Sequence, residues 1–291
     1  MNIEYRPELT PAERALPLCK YYDLPLSGLG PLFQEIMDHG PLRQDQTLTA
    51  ADWKKHLQLP GQYDRPVFGY RTMDDGTGYL ATYSHYANAT PKMMQWYFRW
   101  INIPSQNQPE GCGNLRYKIW CPPCHITHGF VNGKDKFGGV FTIEALELDP
   151  AQQNFYFTVR TAVDLRALGL TEEEERKFND VGVWIDPAVE TFYEINGSDY
   201  THLGKKMGGS PLCLTMSRPC PTGGMEKVTL EWIGYGVKDG KIWRDETTPE
   251  YMFGEEWLRM ALTHTTVEAQ QLGKFLPELY AEYSGKPDDA D

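Results

Sequence analysis

His264 and Glu268 lie four residues apart in a late segment, Trp257 to Glu268, whose pattern is helical. That spacing points both side chains the same way and lets them share one metal ion. Trp257, Met260, Ala261 and Leu272 fall on the same face, so the pair interrupts an apolar stripe instead of lying on a solvated side. A carboxylate placed there needs a cation, a metal or a proton. The pair taken alone also fits a core histidine beside an ordinary helix glutamate. Further ligands must therefore come from elsewhere in the chain.

A second cluster packs Cys121, Cys124, His125 and His128 into eight residues, directly after Tyr117–Trp120, which reads as a strand. Loops that follow strands are good places to hold ligands at a cavity mouth. Cys121-Pro-Pro-Cys124 by itself resembles a redox pair, but the βαβ pattern that such a motif needs is missing. Half of a structural zinc site is the other reading. Its remaining ligands should then have similar spacing, and Cys213 and Cys220 fit poorly.

The elements that must position these residues change texture along the chain. From residue 8 to about 60 the pattern is helical but punctuated, with a short amphipathic turn at Leu32–Met37 and another opened by a capping Thr49. Thr90 followed by Pro91 opens a helix with aromatics on one side, which should lie against a sheet. From about 115 to 245, short runs rich in Val, Ile, Phe, Tyr and Thr alternate with Gly, Pro, Asn and Asp. The links are mostly too short for helical crossovers, so these read as antiparallel strands. An antiparallel run closed by one long helix predicts an α+β fold, with the sheet curled around that helix and a cavity between them. The expected organisation is a small, mainly helical region over 1–88, a catalytic domain over 89–285 and a disordered acidic tail over 286–291.

Composition removes several function classes. The chain has 291 residues, a net charge of −12 and a pI near 5.1, with no Lys/Arg block, so neither a phosphate backbone nor an anionic membrane is an expected partner. No run approaches the ~18 apolar residues that span a bilayer, and the N-terminus lacks the pattern of a secretory signal, which predicts a cytoplasmic protein. The six cysteines are then expected as free thiols. Abundant aromatics (Trp 8, Tyr 17, Phe 12) suit either plain core or a cavity for a planar ligand.

Taken together, Tyr117-Lys-Ile-Trp120, His125, a strand carrying Glu144, Arg259, His264-x3-Glu268 and the run Gly273 to Tyr280 resemble the 2,4-diacetylphloroglucinol hydrolase and phloretin hydrolase family, over roughly residues 90 to 282. The resemblance implies a zinc-dependent enzyme that hydrolyses the carbon–carbon bond between an acyl group and a phloroglucinol-type ring. It also implies a Bet v1-like helix-grip domain, preceded by a small helical domain used in homodimerisation. By motif position His125, Glu144, His264 and Glu268 would be the Zn2+ ligands. Glu144 is preferred to Glu147 because it is mid-strand, whereas Glu147 nears the Asp149-Pro150 stop. The chain departs from the family's His-Pro-x-Asp-His where it has Cys121-Pro-Pro-Cys124-His125, and His128 stands where a substrate-contacting amide is expected.

The implied substrate is a small acylphenol. Protonating its ring carbon makes a ketone tautomer, after which water attacks the acyl carbonyl and the ring leaves as a stabilised enolate. Tyr117 and His128 are candidates for holding the phenolic oxygens, and His202 for proton transfer. Tyr117 also fits a plain wall aromatic, and His202 a plain loop histidine. The competing function is a non-catalytic carrier of a hydrophobic aromatic ligand, which needs no His/Glu cluster. A zinc hydrolase of esters or amides is a third, without a Gly-x-Ser-x-Gly or His-Glu-x-x-His motif to support it.

Overall fold

Val228, Leu230 and Trp232 are buried on one face of a strand whose other face carries Lys227, Thr229 and Glu231. A strand sends alternate side chains to opposite faces, so this one has an apolar side and a polar side. The architecture follows from which partner each side meets.

The computed structural model describes residues 6–26, 28–66, 68–107, 114–130, 140–145, 155–195 and 203–291. Its helices are α1 (Pro11–Arg14), α2 (Cys19–Tyr22), α3 (Gly30–His39), α4 (Pro91–Trp100), α5 (Asn114–Lys118), α6 (Glu172–Asn179) and α7 (Glu255–Tyr283). The strands are β1 (Gly69–Thr72), β2 (Gly78–Tyr86), β3 (His125–Phe130), β4 (Val140–Ala145), β5 (Phe155–Ala162), β6 (Trp184–Ile195), β7 (Leu203–Pro219), β8 (Met225–Ile233), β9 (Tyr235–Lys238) and β10 (Lys241–Arg244). Eight form one antiparallel sheet in the order β1-β2-β8-β7-β6-β5-β4-β3, and β9 and β10 form a separate ribbon. The expected α+β class with an antiparallel sheet is what the chain adopts. No helix among the described residues is long and apolar enough to cross a membrane.

The apolar face of the sheet, including Tyr79, Leu212, Leu214, Leu230 and Trp232, packs with Leu42, Leu48 and Trp53 from the N-terminal region. The Trp232 indole donates to the Leu48 carbonyl at 2.7 Å, fastening that region to the sheet. The opposite face meets α7, a 29-residue helix that packs on β1, β2 and α4. Near its start, Trp257, Leu258, Ala261 and Leu262 join Tyr70 and Leu80; further along, Leu272, Phe275, Leu276 and Leu279 join Trp96, Tyr97 and Trp100 of α4. His264 and Glu268 fall between these two apolar anchors.

Some local expectations change. Tyr117–Trp120 is not a strand: Tyr117 lies in α5 and Trp120 in the turn after it. Leu115 and Ile119, four apart and both buried, follow the helical period, and the Ile119 amide donates to the Leu115 carbonyl at 3.0 Å. Thr90 caps α4 through the Met93 amide, but the Thr49 hydroxyl donates to the Asp52 carboxylate instead of capping the 3-10 turn Ala50–His56. The region before residue 89 supplies β1 and β2 to the main sheet. The acidic C-terminal residues meet basic partners: Asp288 pairs with Arg99 at 2.8 Å and Asp291 with the buried Arg116 at 2.7 Å.

Candidate metal centre

β3 begins at His125, and the helical spacing of α7 delivers His264 and Glu268 to the same point. Glu268 Oε1 lies 2.6 Å from His125 Nε2 and 3.2 Å from His264 Nε2. Ligand atoms of all three residues lie within 4.8 Å of one another, a buried group able to hold a metal ion. Mixed imidazole and carboxylate donors suit a divalent transition metal.

The tautomer of His125 fits a ligand. Its Nδ1 lies 3.0 Å from the Tyr117 carbonyl, which can only accept, so Nδ1 carries a proton and Nε2, which faces Glu268, is the nitrogen that would bind a metal. The Tyr117 ring stacks on His125 with centroids 3.8 Å apart and planes 5° apart, while Trp120 meets the same imidazole edge-on at 4.9 Å. The ring is thus fixed from two sides. Burial alone would raise the Glu268 carboxyl, but the imidazoles of His264 and His125 outweigh it and hold the group well below the usual carboxylate range.

Glu144 is the Cα partner of His125 in the β3–β4 pairing, and its side chain lies outside the described residues. Glu147 and His202 lie outside them entirely. Cys121 and Cys124 are buried cysteines that do not join the metal-binding group, and the five described cysteines of the six form no disulfide with one another. Burial first, and then the Cys124 thiol, push the Cys121 thiol well above its usual range, which suits packing more than redox chemistry.

Tyr117, His128, His264 and Glu268 line a cavity of about 900 Å³ between α7, α4 and the polar face of the sheet. His128 Nε2 lies 2.9 Å from the Asn102 side-chain oxygen. The Asn102 amide nitrogen donates to the Phe98 carbonyl, so the oxygen accepts and His128 Nε2 carries the proton. Burial, with His125 nearby, pushes His128 down to about 3, and it is neutral at physiological pH. It is a hydrogen-bonding wall residue rather than a cation.

The sheet wall also holds charged residues that motif reasoning passed over: Arg160, paired with Asp186 at 2.9 Å and Glu190 at 2.8 Å, and Lys227 and Glu231 of β8. Their signal in sequence is a polar residue at every second position of an otherwise apolar strand. Asn102 carried no signal, since only the fold brings it to His128.

With this geometry in place, comparison with known families is specific. Residues 48–142 match the family model described as the DAPG hydrolase PhiG domain. The resemblance to 2,4-diacetylphloroglucinol hydrolases is borne out, and it implies a hydrolase. The matched span includes His125, begins well before residue 90 and ends ahead of α7. The segment from 48 to 89, which motif reading set aside, therefore carries family signal. No curated protein matches the chain.

Proposed function

We propose, from the matched DAPG hydrolase domain together with the buried His125–His264–Glu268 group, that this protein is a cytoplasmic zinc-dependent hydrolase of C-acylphenols related to 2,4-diacetylphloroglucinol and phloretin. The reaction consumes one water and yields a carboxylic acid and the deacylated phenol. The observation that carries the reading is the convergence of two imidazoles and a carboxylate, of which His264 and Glu268 line a cavity large enough for a small aromatic ligand. A simple carrier has no use for that donor set.

His125, His264 and Glu268 would hold the zinc, with Glu144 as the fourth protein ligand, a role its register position opposite His125 supports. Bound zinc would supply Lewis acidity and lower the pKa of water. The chain's own groups do the rest. Tyr117 fixes the His125 ring and, with His128, offers hydrogen bonds to phenolic oxygens; His202 is the candidate for proton transfer. The polar face of the sheet receives the hydroxylated ring, and the aromatics of α4 cover it. The sheet order, with β2 closing onto β8 at one side of the β3–β8 meander and α7 on the polar face, supports a Bet v1-like helix-grip domain. The N-terminal region is our candidate for a homodimer contact.

The test is metal analysis of the purified protein beside turnover of 2,4-diacetylphloroglucinol and phloretin, before and after chelation. About one zinc per chain and chelator-sensitive acid release are expected. A metal-free protein that hydrolyses these ketones at full rate would overturn the zinc assignment; one without metal or turnover would favour the carrier.

A further inference from the structure

Lys227 differs from the other cations that line the cavity. Arg160 is matched by Asp186 and Glu190, Arg99 by Asp288, and Lys92 is exposed to solvent. Lys227 is only partly exposed and, among the described residues, has no carboxylate within ion-pair distance. Its ammonium lies instead 5.6 Å from the Phe98 ring and 5.8 Å from the Trp120 ring. Trp120 is also the ring that meets His125 edge-on, so one indole separates the cation from the candidate metal centre. Glu231 shares the strand face four residues along, about 13 Å away along the backbone of an extended chain, and forms no ion pair with Lys227 among the described residues.

We propose that Lys227 is the counter-ion for an ionised phenol oxygen of the substrate, and so selects acylphenols that bind or depart as phenolates. This rests on the acylphenol hydrolase reading. In that reaction the ring carbon bearing the acyl group has first taken a proton. Water adds to the acyl carbon, the bond to the ring carbon breaks, and its electron pair passes into the ring and onto a ring oxygen. The acyl group leaves as the acid. The charge that develops on that oxygen needs a fixed cation in a dry wall, where such partners act most strongly. Electrostatics agree: burial pulls the Lys227 ammonium below its usual range, which the carboxylates of Glu268, Asp186 and Glu231 only partly offset, so an anionic ligand beside it would favour the charged form. Burial, with Glu190 and Glu268, pushes Glu231 up to about 8, which weakens it as a counter-charge for Lys227.

The probe is 2,4,6-trihydroxyacetophenone, whose phenolate absorbs at longer wavelength than its phenol. Bound to the zinc-loaded wild-type protein below its free pKa, it should show the phenolate band. Lys227→Met should lose the band, Lys227→Arg should keep it, and kcat for 2,4-diacetylphloroglucinol should fall about 100-fold in Lys227→Met. Probe bound as the neutral phenol by the wild type, a result that needs no variant, would overturn the proposal, as would an undiminished kcat in Lys227→Met. The two readings separate cleanly. A phenolate band without turnover keeps Lys227 and sinks the hydrolase, whereas turnover with a neutral bound phenol sinks Lys227 alone.

Discussion

Glu268 Oε1 and His125 Nε2 lie 2.6 Å apart although 143 positions separate them in the chain. One sits mid-way along α7 and the other opens β3, so the contact exists only when the helix is seated on the sheet. Apolar anchors toward both ends of α7 seat it, and the polar residues between them are held in register. Stability of the helix packing and integrity of the site are therefore one property.

Replacing His264 with alanine should remove metal and turnover together. One of three convergent donors is lost, and the opposing Glu268 is left without one of its two imidazoles. Metal content should drop from about one per chain to near zero, with acid release at background. Full stoichiometry and activity in His264→Ala would remove α7 from the site.

Tyr117 acts on His125 through both its ring and its carbonyl, and the two can be separated. Tyr117→Phe keeps the stack and the backbone acceptor, so bound metal should be unchanged and any fall in kcat reports the phenolic hydroxyl. Tyr117→Ala loses the ring, and metal affinity should weaken about tenfold or more, the scale seen when the outer support of a ligand is removed. Competition with a chelator reads both. Equal affinity in the two variants would show that the stack does not orient the imidazole.

Much of this was legible in the sequence because it rests on short-range periods. His264 and Glu268 announce themselves by helical spacing on an apolar face, and the strands from 140 to 233 by their residue types and turns. What was not legible depends on competition between elements. Tyr117–Trp120 has strand-like residues, but buried Leu115 and Ile119 reward a helical turn there. The polar lining of the cavity was missed because Lys227 and Glu231 resemble a solvated strand face until α7 covers that side. Acidic residues at the end of the chain resemble a solvated tail until Arg99 and Arg116 are placed beside them.

Arg218 and Glu226 form a buried ion pair across β7 and β8, with the Tyr63 hydroxyl on the same carboxylate. Removing one partner leaves the other charge buried. Arg218→Met or Glu226→Gln should cost about 3–5 kcal/mol in urea unfolding, and the double variant Arg218→Met with Glu226→Met should recover much of it. Single variants within about 0.5 kcal/mol of wild type would show that the pair is solvated.

His56 gives a pH signature far from the metal group. Burial first, then the charge of Arg218, pushes it down to about 3, so it is neutral in the folded chain while the unfolded chain takes up a proton near 6.5. Its folded pKa is depressed, so this contribution is fully present above about 6.5 and is lost as pH falls toward 3. The slope should approach about 1.4 kcal/mol per pH unit within that window. His56→Leu should flatten the profile there, and an unchanged slope in that variant would assign the acid sensitivity to other groups.

The fourth ligand can be decided by comparing Glu144→Gln with Glu147→Gln. Opposite positions of an antiparallel pair share a face of the sheet, and Glu144 is the register partner of His125. A residue three positions further along a strand would fall on the other face by period, since side chains alternate. Glu144→Gln should therefore weaken metal binding by about 100-fold, whereas Glu147→Gln should leave it within about twofold, read by the same chelator competition. The reverse pattern would mean that the chain beyond Ala145 turns back toward His125, and would transfer the ligand to Glu147.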